Sequence, residues 1–172
     1  KSSFPARTGT RSTAVRATAC RKAMHCRLET PVGTLWIEEA DGAVSCVTSR
    51  PLSGPEGNAP VLEQAKKELT EYFAGTRKTF SVPLNPRGTD FQRAVWAALR
   101  EIPYGETRSY GEIAAAVGKP KAARAVGGAN NKNPILILTP CHRVIGAGGA
   151  LVGFGAGLPM KEALLALEQK YK

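Results

Sequence analysis

Apolar residues recur along this chain with two different periods, and the change of period divides it. From Met24 to Thr48 they fall in short β-favouring runs (Leu28, Leu35, Ile37, Val44, Val47), separated by Thr30-Pro31-Val32-Gly33 and Ala40-Asp41-Gly42. Such runs between turn signals predict a β-hairpin or meander over 24–48. A Ser/Gly/Pro/Asn-rich loop covers 49–59. Pro60 then opens a helix to about Ala74, with Leu62, Ala65, Leu69 and Phe73 on one face and Gly75 closing it. Phe80, Val82 and Leu84 alternate and predict a further strand.

Beyond Pro86-Arg87-Gly88 the helical period takes over. Thr89-Asp90-Phe91-Gln92 has the form of a capping box, and a helix to about Glu101 is expected to bury Phe91, Val95, Trp96 and Leu99. Ser109 caps a short helix (Tyr110, Ile113, Ala114, Val117) that ends at Gly118, and a second runs from Lys121 to about Asn131. Two short helices across a tight Gly-containing turn predict a helix-turn-helix. Asn133-Pro134 stops the second, because a residue before proline avoids the α region. Ile135-Leu136-Ile137-Leu138 reads as a fully buried strand. Pro159 starts a last helix with Leu164, Leu165 and Leu167 inward. The expected fold class is α+β: a small N-terminal β-sheet with one helix over 24–85, then a mainly helical C-terminal domain over 89–172.

Composition changes this picture in one respect. The net charge is +10, but residues 1–28 contain Lys1, Arg7, Arg11, Arg16, Arg21, Lys22 and Arg27 and no acidic residue, which leaves +3 over 29–172. The folded part is only mildly basic, so charge alone is a weak argument for a nucleic-acid partner. The tail 1–23 is expected to be disordered and dispensable, with Met24 a natural start. Its Arg, Ser and Thr content also fits an organelle transit peptide. No apolar run approaches the roughly twenty residues of a membrane helix, which argues against a membrane partner. The four cysteines, Cys20, Cys26, Cys46 and Cys141, form no CxxC pair and suggest neither a zinc site nor a disulfide framework.

The chemistry concentrates at Pro140-Cys141-His142-Arg143-Val144-Ile145, ahead of a glycine-rich loop (Gly146 to Gly157) and a helix carrying Glu162 and Glu168. A thiol is a good nucleophile only as thiolate, so it needs a base or a positive field. Cys141 is either such a nucleophile or an inert small hydrophobe. Its neighbour His142 reaches it through a bent segment or a water, since adjacent side chains diverge on extended backbone. Glu168 is either a solvated helix glutamate or the carboxylate that orients His142. Within 121–130 Arg124 is the one long side chain on a face of Ala and Gly, which suits close approach in a minor groove or helix–helix packing. Tyr110 is a core residue or a phosphate contact, and Asn133 a turn residue or more.

These residues, with Ser109-Tyr110, Ala122-Ala123-Arg124-Ala125-Val126-Gly127-Gly128-Ala129, Asn133-Pro134 and Lys161-Glu162 through Leu167-Glu168, resemble the O6-alkylguanine-DNA alkyltransferase family. Thr30-Pro31-Val32-Gly33-Thr34-Leu35 and Tyr72-Phe73-Ala74-Gly75 extend the likeness into 24–85. The resemblance implies a ribonuclease H-like N-terminal domain and a winged-helix-like C-terminal one. It implies DNA repair by irreversible, single-turnover transfer of an alkyl group from O6-alkylguanine in duplex DNA, with O4-alkylthymine a second candidate substrate, to the protein's own cysteine. Cys141 would be the acceptor, His142 a water-mediated base held by Glu168, and Asn133 the tie between helix-turn-helix and active loop. Tyr110, Arg124, Ala123 and Gly127 would meet DNA, with Arg124 filling the gap left by the flipped base. Tyr110, Val144, Phe154 and Gly155 would line the pocket. Many members have a tyrosine and a serine where this chain has Phe154 and Gly155, which leaves rate and substrate range open. Some members hold an N-terminal zinc; Ala40 and Ser45 at the matching positions predict no metal, and no cofactor is expected. A monomer is expected, cytoplasmic in a bacterium or nuclear in a eukaryote. The rival readings are a non-enzymatic lesion-binding relative without the cysteine and a multiple-turnover Cys-His hydrolase.

Overall fold

The computed structural model describes residues 23–172, so the expectation of a disordered 1–23 tail lies, Ala23 apart, outside the described residues. Strands β1 (Met24–Thr30), β2 (Gly33–Ala40) and β3 (Ala43–Thr48) form an antiparallel meander in that order. Asp41 and Gly42 both take positive φ (53° and 80°), the two-residue turn that matches strand twist. Leu35, Ile37, Val44 and Val47 point to one face and are buried under α1 (Pro60–Phe73), which presents Leu62, Ala65, Leu69 and Tyr72.

Residues 80–84 are not the strand that their alternation predicts. A single parallel bridge joins Val44 to Leu84, carried by Val44 N–H to the Pro83 carbonyl (2.9 Å) and Asn85 N–H to the Val44 carbonyl (2.9 Å). The amides of Ser81 and Val82 donate instead to the buried Glu68 carboxylate (2.7 and 3.2 Å), and Pro83 has no amide to give a ladder.

The run Ile135–Leu138 is buried as expected but is also not a strand. Ile137 has φ of 69°, which reverses the chain; Leu138 N–H bonds the Leu136 carbonyl (2.7 Å) and Thr139 N–H the Ile135 carbonyl (3.2 Å). Before that reversal the segment joins the edge of β3, through Val47 N–H to the Pro134 carbonyl and Leu136 N–H to the Val47 carbonyl.

The C-terminal part is helical. In α2 (Asp90–Arg100) both arms of the Thr89/Gln92 capping box form, and Val95, Trp96 and Leu99 are buried. Phe91 is only half-buried, beneath the Lys119 ammonium. A two-residue β4 (Arg108–Ser109) leads into α3 (Tyr110–Ala116), and α4 (Ala123–Asn131) packs on both α3 and α2. The Trp96 indole N–H bonds the Ala129 carbonyl (2.9 Å) and fixes α4 on α2. β5 (Val144–Ile145) pairs parallel with β4. The last helix, α5 (Leu158–Lys170), turns Lys161, Leu164 and Glu168 inward at helical spacing. Leu165 and Leu167, expected inside, lie off that stripe and stay partly exposed.

Candidate active site

Pro140 leads into one 3-10 turn, Cys141–Arg143, and all three of its side chains are buried. The turn supplies the bend that adjacent Cys and His need. His142 is fully buried and its Nε2 lies 2.5 Å from Glu168 Oε2. A carboxylate only accepts, so Nε2 carries the hydrogen and Nδ1 keeps its lone pair. Nδ1 is buried and has no hydrogen-bond partner among the described residues.

Glu168, 1% exposed, is surrounded by donors. Arg143 gives Nε to Oε1 (2.8 Å) and Nη2 to Oε2 (3.2 Å), the Gly105 amide gives to Oε1 (3.1 Å), and the Tyr72 hydroxyl gives to Oε2 (2.6 Å). Burial on its own would raise this carboxyl's pKa. The hydrogen bonds from His142 and Arg143 and the guanidinium charge outweigh it and hold the pKa at about 2. Burial lowers the imidazole's proton affinity more than Glu168 raises it, so His142 rests neutral and ready to accept.

Cys141 is 1% exposed, and burial pushes its thiol up to about 11. A hydrogen bond from the Asn133 side chain and the charge of Lys161 work in the opposite direction. Asn133 also gives Nδ2 to the Ile135 and Thr139 carbonyls (3.1 and 2.9 Å) and takes the Ile135 amide (3.1 Å). It thereby fastens the reversal before Cys141 to the chain just past α4. Lys161 is fully buried, with Nζ on the Val144 carbonyl (2.6 Å) and the Val152 carbonyl (3.0 Å), tying the residue before the glycine-rich loop to the middle of that loop.

A cavity of about 270 Å³ opens beside Cys141, lined by Asn130, Asn131, Asn133, Gly155 and Ala156 and, from after β3, Arg50. A larger groove of about 400 Å³ near Tyr104 and Arg143 does not include Cys141, so the smaller one is the candidate for a reacting group. Of the four expected pocket residues, Gly155 lines the cavity and the other three do not. The Tyr110 hydroxyl bonds the Val152 carbonyl (2.8 Å), Val144 is fully buried behind Lys161, and Phe154 is turned into the core. Phe154 has no hydroxyl to keep at a polar surface, and burial of its ring is the better use of it. Arg124 is exposed on α4, while Ala123 and Gly127 are half-buried, Gly127 against the Tyr110 ring.

The structure thus gathers the buried Cys141, His142 and Glu168 with the half-buried Asn133 and leaves Arg124 outside on the surface helix. Sequence reasoning missed Tyr72, Lys161, the Gly105 amide and any role for Arg143. A lysine among leucines on the inner face of the last helix is the one signal that was available. Among the described residues no group of three or more His, Cys, Asp or Glu side chains gathers as a metal site; Ala40 is buried and Ser45 bonds Glu38 (2.7 Å).

Residues 27–86 match the ribonuclease-like domain of 6-O-methylguanine DNA methyltransferase, and residues 90–170 match its DNA-binding domain. The chain belongs to the 6-O-methylguanine DNA methyltransferase family. A relative of this methyltransferase family from Mycolicibacterium paratuberculosis, a methylated-DNA–protein-cysteine methyltransferase, is 48% identical over 150 residues, 84% of this chain and 91% of its own. Another from Methanosarcina acetivorans is 60% identical over 111 residues, 64% of this chain and 71% of its own. The solved structure of Mycobacterium tuberculosis OGT in complex with DNA aligns with a TM-score of 0.80 at 45% identity, over 86% of this chain and 94% of that one.

Proposed function

We propose that this methyltransferase repairs duplex DNA directly, moving the alkyl group of O6-alkylguanine irreversibly to Cys141. The observation that carries the reading is a cysteine on a buried turn, backed by a neutral histidine and an ionised glutamate, with a cavity beside it. The lesion lies inside the base stack, so the nucleotide must be extruded, at a cost of a few kcal/mol. Arg124 enters the gap from the exposed side of α4, and Tyr110, Ala123 and Gly127 approach the backbone. The Gly155 segment walls the base, and Tyr110, Val144 and Phe154 shape that wall from behind.

His142 Nδ1 takes the thiol proton through a water, and Glu168 stabilises the imidazolium that forms. The sulfur attacks the alkyl carbon in line. The S–C bond forms as the C–O6 bond breaks, the electron pair stays with the purine, and the guanine takes up a proton to balance the one lost by the thiol. The product is a thioether with no good leaving group, so each molecule acts once. No metal or organic cofactor enters this chemistry. Asn133 and Lys161 favour the thiolate as it appears. We further divide the chain into residues 24–85 as scaffold and 89–172 as the DNA-binding and transfer unit, a reading that the two matched family domains support. We read it as a monomer that works where the cell keeps its DNA, the cytoplasm of a bacterium or the nucleus of a eukaryote; among the described residues no helix is long and apolar enough to cross a membrane.

Intact-mass measurement after incubation with O6-methylguanine duplex tests the reading. The expected result is a gain of one methyl on the Cys141 peptide, with activity exhausted at one equivalent. Tight binding with no mass gain would make the protein a lesion binder, and many turnovers a hydrolase. The pH dependence is a second check. The reactive state pairs a neutral thiol with a neutral imidazole, so the single-turnover rate should be flat from about pH 7 to about pH 9 and fall only below the ordinary imidazole range, near 6.5. A rate that climbs about tenfold per pH unit across the neutral range would show free thiolate attacking without the histidine.

A further inference from the structure

The fully buried Tyr72 belongs to α1, in the N-terminal part of the chain, yet its hydroxyl ends 2.6 Å from the carboxylate oxygen on which His142 rests. Its ring is held by Phe73, Phe80 and Tyr104 at centroid distances of 5.3, 5.5 and 6.1 Å, so the hydroxyl is aimed by packing on three sides. We propose that Tyr72 is a positioning residue for alkyl transfer: its hydroxyl, shared on Oε2 with His142, sets how strongly Glu168 draws a proton onto the imidazole.

The physical reason is competition for one oxygen. Every donor on a carboxylate withdraws electron density and makes it a weaker acceptor toward the others. With Tyr72 in place, Glu168 aligns the ring without pulling His142 into its protonated form, and Nδ1 stays free to accept. The titratable and charged groups that face Glu168 are Tyr72 from α1, Tyr104 from the turn after α2, and His142 and Arg143 from the 3-10 turn; Lys161, on α5 itself, faces His142 and Cys141. Arg143 is fixed by the Ile102 carbonyl (2.7 Å) and by the Tyr104 face (5.7 Å), so it does not swing over to replace a missing hydroxyl. The scaffold thus contributes a functional group to the chemistry of the other half.

The inference rests on His142 being the proton acceptor, and the test separates the two. Single-turnover transfer to the full chain from O6-methylguanine duplex is followed against pH for wild type, Tyr72→Phe and His142→Gln. Tyr72→Phe keeps the ring and removes the hydroxyl. Its acid limb should move to higher pH by about half a unit or more, with duplex affinity unchanged. Site-specific 3-fluorotyrosine at position 72, a stronger donor of nearly the same size, should move the limb the other way and keeps the question answerable if Tyr72→Phe folds poorly. An acid limb that stays in place in these Tyr72 variants, whatever happens to thermal stability, overturns the proposal. If the limb survives in His142→Gln, the histidine assignment fails instead, and the proposal falls with it.

Discussion

Cys141→Ala abolishes methyl transfer, by at least roughly 10⁴-fold, and leaves binding to a methylated duplex close to wild type. The expected separation of the two activities follows from where the sulfur sits. It is 1% exposed on a turn behind the cavity, and the exposed residues of α4 expected to meet DNA do not depend on it. Removing one buried sulfur from a tight site costs only about 1–2 kcal/mol of stability, too little to unfold the chain. Electrophoretic mobility shift and intact mass on the same sample check it. Transfer that persists would assign the acceptor to another residue, and Cys46, which also lines the cavity, would be the next to examine.

Glu168→Gln has the second large effect, on stability and rate together. The carboxylate is the acceptor for Arg143, His142, Tyr72 and the Gly105 amide. A neutral amide leaves the buried Arg143 cation without its counter-charge and turns an N–H toward other donors. Breaking one partner out of such a buried pair costs about 3–5 kcal/mol, or about 6–20 °C of melting temperature for a chain of this size. The rate of transfer falls by about 10²–10⁴-fold as His142 loses its orienting partner. The wild-type pH dependence of stability carries the same signature. The Glu168 pKa near 2 lies below the ordinary carboxylate value, so its contribution is complete above pH of about 4.5 and is lost as pH falls toward 2. The amplitude is roughly 3 kcal/mol. Denaturant midpoints taken between about pH 3 and pH 7 should therefore rise more steeply for wild type than for Glu168→Gln; equal slopes would remove Glu168 as the cause.

Much of this was legible because the local signals are strong. Thr89 with Gln92 forms the capping box that its spacing implies, Ser109 caps its helix as expected and gains Glu112 as a second arm, and the Asp41-Gly42 turn sets the meander. Two segments depart from their pattern for one reason. Hydrophobicity alone predicts strands for the alternating residues 80–84 and the apolar run 135–138, but it reports burial and not what the backbone amides do. In the first, Glu68 takes the amides; in the second, Ile137 adopts a left-handed conformation supported by the Asn133 side chain. The proposed acceptor cysteine and its histidine are legible because they are adjacent in sequence. Tyr72 is not, because 96 residues separate it from Glu168 and nothing near it in sequence points to a carboxylate.

The single ammonium of Lys161 closes the segment between Val144 and Val152 into a ring without a covalent bond. Residues 146–151, which lie past the β4–β5 pairing, are thereby tied at both ends, and changes of length there leave the two anchored carbonyls their spacing. Loop length is a weak burden on stability once the ends are pinned. That makes this stretch the place to insert a reporter with the Cys141 turn beside it undisturbed.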